Sequence, residues 1–255
     1  MITSPEVEKR LRRLRWWNLC VGLILAAQAA VVAVLANDFS LPVVGTYMSG
    51  PPGTPATLTT IFDLPIGWGV FAFLAISAAA LLIIASPGVF EWYTNNLLHD
   101  RNYGRWIEYS ISSSIMIVLI VMLCGVSDIA ALIAVFGVNA SMILFGLLME
   151  KYETPGRPNW LSFIFGCFAG IIPWIAVVIY VASPGLDGPQ PPGFVYGIIA
   201  SLFVFFNIFA LNMVLQYKKV GPWRDYVFGE KAYIVLSLTA KALLAWQVFL
   251  PTLMD

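Results

Sequence analysis

Charged residues are scarce in this chain, since only 11% of its 255 residues are Asp, Glu, Lys or Arg while 60% are hydrophobic. A soluble protein needs roughly a quarter of its residues charged to cover its surface. The composition therefore predicts a protein of the lipid bilayer. The formal net charge is zero, so the sequence has neither the basic excess that binds nucleic acid nor an acidic tail.

Cysteine and histidine are also rare, with three cysteines and the single histidine His99. Cys20, Cys124 and Cys167 lie within or at the edge of apolar segments, and no CxxC spacing occurs. This pattern indicates neither a disulfide framework nor a zinc site, and we interpret the cysteines as small buried apolar residues. With no nucleophile–base pair, metal cluster or phosphate-binding loop, the sequence does not predict an enzyme.

Long apolar stretches are abundant, and each is near the ~20 residues that cross ~30 Å of hydrocarbon. Seven follow one another, at residues 16–36, 64–85, 106–125, 129–149, 160–181, 194–215 and 227–250. Proline and glycine mark most of the breaks, including segment 184–192. Because backbone polar groups in lipid must be satisfied within the segment, we predict an all-α membrane protein. Its fold is a seven-transmembrane helix bundle, a single domain over residues 1–255, with a small β-hairpin in the first connection.

The basic residues lie on one side of this predicted bundle. Five precede the first span, two lie between the second and third, two between the fourth and fifth, and four between the sixth and seventh. These are thirteen of the fourteen Lys and Arg residues. By the positive-inside rule the N-terminus is cytoplasmic and the C-terminus extracellular.

The fourteenth basic residue, Lys241, lies near the middle of the seventh span. At ~1.5 Å per residue it is roughly 14–18 Å from either membrane surface. A lysine side chain reaches only ~6 Å, so its amine cannot extend to the interface. A lysine at that depth must be neutral, paired with an anion or used covalently.

Glu108 in the third span is the carboxylate at a similar depth, because the third and seventh spans run in the same direction. Ser237 lies one turn before Lys241 on the same helix face, and Ser112 lies one turn after Glu108. Two interpretations remain open from spacing. One is a structural ion pair, including a pairing of Glu108 with Arg105. The other is a lysine Schiff base whose protonated imine has Glu108 as its counter-ion.

Several motifs are similar to those of the heliorhodopsins, a family of microbial retinal proteins. The matching stretches are AYIVLSLTAKALLAWQ around Lys241, RWIEYSISSSIMIVL around Glu108, and FGVNASMILFG in the fourth span. Three more are GFVYGII at the start of the sixth span, and NDFSLP and GTYMSGPPGT in the first connection. The resemblance extends over residues 37–247, nearly the whole chain.

This resemblance implies all-trans retinal bound covalently to Lys241, Glu108 as counter-ion, and Ser237 hydrogen-bonding near the imine. The spacing of Ser112 from Glu108 adds it as a second candidate for hydrogen bonding there. It also implies a cytoplasmic N-terminus, a homodimer and β-structure in the first extracellular connection. One departure concerns histidine: heliorhodopsins carry histidines in the first two spans near the Schiff base, and here those spans contain none. Waters, serines or Glu108 itself would then have to take the proton.

Retinal requires an apolar slot flanked by aromatic side chains, with polar groups confined to its imine end. The resemblance suggests six residues for this slot, namely Tyr109, Met142, Phe145, Gly146, Trp174 and Phe206. Each is also an ordinary residue for packing between helices, since 14% of the chain is aromatic. Trp174 and Phe206 are the two that we favour, and Gly146 permits close approach of a ring or tight helix packing.

A light-driven proton pump needs a directional relay of acids. We interpret the first, second, fifth, sixth and seventh spans as lacking interior acids, with Glu91 and Glu150 at cytoplasmic helix ends, so efficient pumping is not predicted. The leading hypothesis is a photoreceptor of the cell membrane that signals to an unidentified cytoplasmic partner or through its dimer contact. The alternatives are a light-modulated ion channel or weak proton transporter, and a retinal-handling protein without signalling.

Overall fold

In the computed structural model, which describes residues 5–182 and 193–253, the chain is mostly helical. The helices are α1 Pro5–Leu35, α2 Ile66–Ala85, α3 Pro87–Leu97, α4 Tyr103–Leu123, α5 Ile129–Tyr152, α6 Leu161–Ala182, α7 Gly193–Tyr217 and α8 Tyr226–Thr252. Among the described residues, seven of these helices, all except α3, are long and apolar enough to cross a membrane. The predicted seven-helix bundle is therefore confirmed. The break predicted at 184–192 and the last two residues, 254–255, lie outside the described residues.

Two helical segments extend beyond what hydropathy predicts. Helix α1 begins at Pro5, well before the apolar run, because its basic arm is itself helix-forming and pairs Glu6 with Arg10 and Glu8 with Arg12 one turn apart. Helix α3 is short and starts with a proline at its first turn, where proline is tolerated. It contains too few apolar residues to be recognised as a span.

The first connection forms the predicted hairpin, in which β1 (Ser40–Tyr47) pairs antiparallel with β2 (Thr57–Pro65). Val43 and Val44 on β1 are buried against the bundle. The backbone N–H of Val44 donates to the Ser127 carbonyl at 2.9 Å, which joins the hairpin to the connection between α4 and α5. The hairpin thus covers the end of the bundle opposite the basic connections.

Helices α1, α2, α4, α5 and α6 pack side by side in chain order, and α8 contacts α7, α1 and α2. Helices α4 and α8 are the most extensively buried spans. Trp174 on α6 meets α7 edge-on, with ring centroids 5.2 Å from Phe203 and 5.6 Å from Phe206. Polar side chains on the inner faces of α4 and α8 are therefore shielded from both lipid and water.

A buried ion cluster joins α4, α5 and α8 near the end that carries the basic connections. Arg105 donates to Glu150 at 2.6 Å and also contacts the Glu230 carboxylate. Asn102, the N-cap of α4, joins both acids: its backbone N–H donates to Glu150 at 2.7 Å and its side-chain amide to Glu230 at 2.7 Å. These contacts fix the axial position of α4 relative to α8.

This cluster corrects three sequence-based interpretations. Arg105 lies inside α4 instead of in a connection, and it pairs with Glu150 and Glu230, not with Glu108. The seventh span contains an interior acid, because Glu230 on α8 is only 1% exposed. Glu150 lies near the end of α5, as expected, and is buried there. Burial of these carboxylates is tolerable because a guanidinium and several hydrogen-bond donors satisfy them, and hydropathy does not reveal such partners.

The cysteines also differ from expectation. Cys20 and Cys167 are exposed and Cys124 is half-buried, and all three are free thiols. A small side chain on a helix that is apolar on every face can point outward as easily as inward, because the surrounding lipid tails are as apolar as the protein core. The interpretation of the cysteines as buried residues is therefore wrong for Cys20 and Cys167.

We expect Arg105→Ala to destabilise the apoprotein by about 3–5 kcal/mol, because it leaves two buried carboxylates without their cation. Thermal unfolding in detergent measures this loss. Arg101→Ala removes an exposed arginine just before the same helix and should have little effect. Similar melting temperatures for the two variants would show that the cluster does not hold the helices together.

Candidate functional site

Lys241 on α8 and Glu108 on α4 are in direct contact with each other. The Lys241 Nζ donates to the Glu108 Oε1 at 2.8 Å, and the two side chains are only 4% and 9% exposed. The structure thus brings together the two residues that the sequence places at the same depth. An ammonium and a carboxylate in contact form a pair without net charge, which is the condition under which either can be held inside a bundle.

Glu108 has a second partner that the sequence analysis missed. The Ser77 hydroxyl on α2 lies 2.5 Å from the same Glu108 oxygen, in hydrogen-bonding geometry. A lone serine in an apolar span has no feature that distinguishes it from a helix-packing residue, so no sequence signal pointed to it. Tyr109 adds a further contact, because the Lys241 Nζ lies 4.9 Å from the centre of its ring, within the range of a cation–π interaction.

Ser237 and Ser112 lie on the wall of the cavity that Lys241 also lines. The Lys241 amine donates to Glu108 instead of to either serine. The fully buried Ser112 Oγ has no hydrogen-bond partner among the described residues. A buried polar atom without a protein partner indicates a position where another group can bind.

An apolar cavity of about 400 Å³ extends from Lys241 between α4, α5, α6, α7 and α8. Its lining includes five of the six predicted pocket residues: Tyr109, Met142, Gly146, Trp174 and Phe206. Phe145 does not line the cavity, because it packs against Phe165 on α6 with ring centroids 5.9 Å apart. One residue along a helix is a rotation of about 100°, so Phe145 and its neighbour Gly146 cannot face the same way.

The remaining wall is formed by residues that the sequence analysis did not select, including Trp106, Met116, Phe163, Phe203, Phe209 and Tyr233. Aromatic residues are so frequent in these spans that type alone does not separate cavity lining from ordinary packing. Trp106 has a distinctive position: its ring lies so close to Gly146 that a Cβ there would clash with it, and its indole N–H donates to Glu150 at 2.7 Å. Trp106 therefore connects the cavity wall to the buried ion cluster.

The seven membrane-spanning helices, with a buried lysine–carboxylate pair at one end of an apolar cavity, have the fold of the microbial rhodopsins. Solved structures share this fold. A cyanorhodopsin from the cyanobacterium Tolypothrix sp. NIES-4075 has a TM-score of 0.63 and 14% identity, covering 97% of this chain and 94% of the other. The light-driven proton pump LR (Mac) from Leptosphaeria maculans has a TM-score of 0.64 and 15% identity, covering 98% and 95%. At these identities the likeness establishes the fold alone.

The family to which this chain belongs is more specific than its fold. The sequence profile of the heliorhodopsins matches residues 14–253, and the chain therefore belongs to the heliorhodopsin family. Members of this family are retinal proteins of the photoreceptor type, and membership implies a retinal chromophore. No curated protein matches the chain.

The residues present fit such a chromophore. The volume of about 400 Å³ lies within the range of roughly 300–1,000 Å³ that is usual for small-molecule pockets. The wall is mainly apolar and aromatic, and its primary amine and the unpaired Ser112 hydroxyl lie among the polar residues of α4 and α8. This arrangement suits a long hydrocarbon with one polar, reactive end.

We expect Gly146→Ala to disturb the cavity, because the added methyl group must displace the Trp106 indole. Such overpacking costs about 1–3 kcal/mol, and the yield of retinal-loaded protein should fall with the melting temperature. Gly137→Ala on the same helix is the matched control, since a Cβ there meets no atom within 4 Å. If both variants bind retinal as well as the wild type, the close Gly146–Trp106 contact does not shape the site.

Proposed function

We propose that this heliorhodopsin is a light sensor of the cell membrane that holds all-trans retinal as a protonated Schiff base on Lys241, with Glu108 as counter-ion. The observation that carries the proposal is the 2.8 Å contact between the Lys241 Nζ and the Glu108 Oε1 beside a cavity of about 400 Å³. Retinal supplies absorption of visible light and a light-driven change of shape. The protein's own residues supply the compensating charge, the hydrogen bonds and the apolar cavity.

Glu108 stabilises a positive charge on the Lys241 nitrogen, and Ser77 orients the Glu108 carboxylate through its 2.5 Å hydrogen bond. These interactions act where water is largely excluded, so they are stronger than they would be at a surface. The Tyr109 ring covers one side of the amine. Ser112 and Ser237 supply further hydroxyls on the wall of the same cavity.

The cavity wall also connects the site to the helices. Trp174 joins α6 to α7 through its contacts with Phe203 and Phe206. A change in the shape of retinal in the cavity would therefore act on both helices. The end of α7 is in turn bonded to the α5–α6 connection, where the Gly156 N–H donates to the Tyr217 carbonyl at 2.8 Å. We infer that signals leave through this basic end of the bundle.

The orientation belongs to the proposal as well. Thirteen of the fourteen basic residues lie at one end, which we assign to the cytoplasm, and the hairpin covers the other end, which we assign to the exterior. The cytoplasmic face is then available to a signalling partner of unknown identity. Family resemblance supports a homodimer.

A second function, a light-modulated channel or weak proton transporter, is favoured by one observation. Glu150 and Glu230 are interior acids on the cytoplasmic side, so the chain does contain candidates for a second proton-binding station. Illuminated patch-clamp recordings separate the two functions. A sensor gives no sustained photocurrent, whereas a channel or transporter does.

Adding all-trans retinal to the purified apoprotein should produce a visible absorption band in the wild type and none in Lys241→Ala, because a Schiff base requires the primary amine. Lys231→Ala, which removes a lysine near the start of the same helix, is the control and should form normal pigment. The proposed attachment is wrong if the wild type remains colourless or if the band persists in Lys241→Ala.

Glu108→Gln should shift the visible band to longer wavelength and make the pigment lose its imine proton at a pH about 1–3 units lower, because the neighbouring negative charge is removed. Ser77→Ala should move the same alkaline transition in the same direction by a smaller amount, since it removes one hydrogen bond to Glu108. Spectrophotometric pH titration measures both. Glu91→Gln, an exposed position, is the control, and an unchanged spectrum in Glu108→Gln would exclude Glu108 as counter-ion.

A further inference from the structure

A second, much smaller cavity of about 30 Å³ lies between the Lys241–Glu108 pair and the buried ion cluster. Glu108 and Ser237 line it on one side, and Arg105 and Glu230 line it on the other. A volume of this size holds about two water molecules. The cavity therefore joins two groups of buried charges that otherwise have no direct contact among the described residues.

Asn18 on α1 marks this cavity as a place for water. Its side chain is 1% exposed and lines the cavity, and its Nδ2 has no hydrogen-bond partner among the described residues. A buried amide group of this kind is normally satisfied by ordered water. Burial raises the pKa of Tyr93 to about 12, so this tyrosine keeps its proton at neutral pH and does not compete as a base.

The two acids of the cluster differ in how fully their oxygens are occupied. Glu150 accepts hydrogen bonds from the Asn102 backbone N–H, the Trp106 indole and the Tyr226 hydroxyl, each at 2.7 Å, and from Arg105 at 2.6 Å. A carboxylate has about four acceptor positions, so all those of Glu150 are used. A proton on Glu150 would displace one of these donors, so Glu150 offers no free oxygen position to an incoming proton.

Glu230 is the less occupied acid. It accepts from the Asn102 amide at 2.7 Å and contacts Arg105, and it also lines the small cavity. Within the described part of the chain, Arg105 is the one cation in contact with both carboxylates, so the cluster has one negative charge in excess when both acids are ionised. A proton on Glu230 removes that excess, which favours its binding in a buried site.

The other titratable groups around Glu230 do not change this balance. Those that line the small cavity or adjoin the cluster are Tyr93, Arg105, Glu108, Tyr109, Glu150, Tyr226 and Tyr233. The tyrosines are neutral, and the charge of Glu108 is compensated by Lys241. Glu230 is thus the member with both a reason to bind a proton and access to the cavity.

We propose that Glu230 is the internal acceptor of the proton that leaves the Lys241 nitrogen, with the small cavity as its route. This inference rests on the proposed function. The N–H bond at the Lys241 nitrogen breaks, Glu108 and the water in the cavity pass one proton on, and an O–H bond forms on a Glu230 oxygen. Glu230, Ser237 and Lys241 share one face of α8 over ~16 Å of helix. A destination for the proton is thus available without histidine in the first two spans.

Infrared difference spectroscopy of the retinal-loaded protein tests the acceptor directly. Illumination of the wild type should produce the carbonyl stretch of a newly protonated carboxylic acid, and Glu230→Gln should lose this band. Glu230→Asp keeps the carboxyl group and should restore a shifted band, which separates the acceptor role from a structural one. Glu91→Gln should leave the band unchanged. The proposal is overturned if the band persists in Glu230→Gln.

The apoprotein supplies a second readout that needs no pigment. Acid titration followed by infrared spectroscopy should show the protonation of a carboxyl group that is absent in Glu230→Gln. Absence of this titrating group overturns the proposal by itself. Failure of the wild type to form pigment is a separate observation, which would refute the proposed function and the acceptor role with it.

Discussion

The contact between Lys241 and Glu108 is the constraint on which the rest of the structure depends, because neither charge is tolerable at that depth without the other. The contact requires α4 and α8 to keep a fixed axial position. The buried ion cluster fixes this axial position from one end of the bundle, because Arg105 lies one turn before Glu108 on α4 and Glu230 lies three turns before Lys241 on α8. Since helices are stiff, holding one pair of residues in contact fixes the other.

The pair also separates two kinds of space. On one side is an apolar cavity of about 400 Å³ with aromatic walls, and on the other a cavity of about 30 Å³ whose lining includes amide, hydroxyl and carboxyl groups. The large cavity suits a hydrocarbon ligand and the small one suits water. A change at the Lys241 nitrogen can therefore alter the packing around the large cavity on one side and the charge distribution around the small cavity on the other.

The sequence predicts this site only in part, and the reasons are physical. Lys241 and Glu108 were identifiable because charge is costly inside a span and because helix rise converts residue number into depth. The sequence does not predict in which direction a side chain points around its helix. Because the spans are apolar on every face, nothing in the pattern shows that Gly146 faces the cavity while Phe145 packs against α6. Ser77 and the cluster of Glu150 and Glu230 depend on partners from distant segments, which hydropathy along one segment does not show.

The buried cluster changes how sensing and transport should be distinguished. A chain without interior acids beyond Glu108 would lack a second station for a pumped proton, but this chain has Glu150 and Glu230. What distinguishes a sensor from a pump is whether the buried acids can exchange protons with the cytoplasm, and not how many buried acids there are. Glu230 is only 1% exposed and its neighbour Glu150 has every acceptor position filled, so a proton that reaches the cluster is held inside the bundle. Storage and return of a proton, without release to the cytoplasm, is the behaviour of a sensor whose charge distribution changes during the light response.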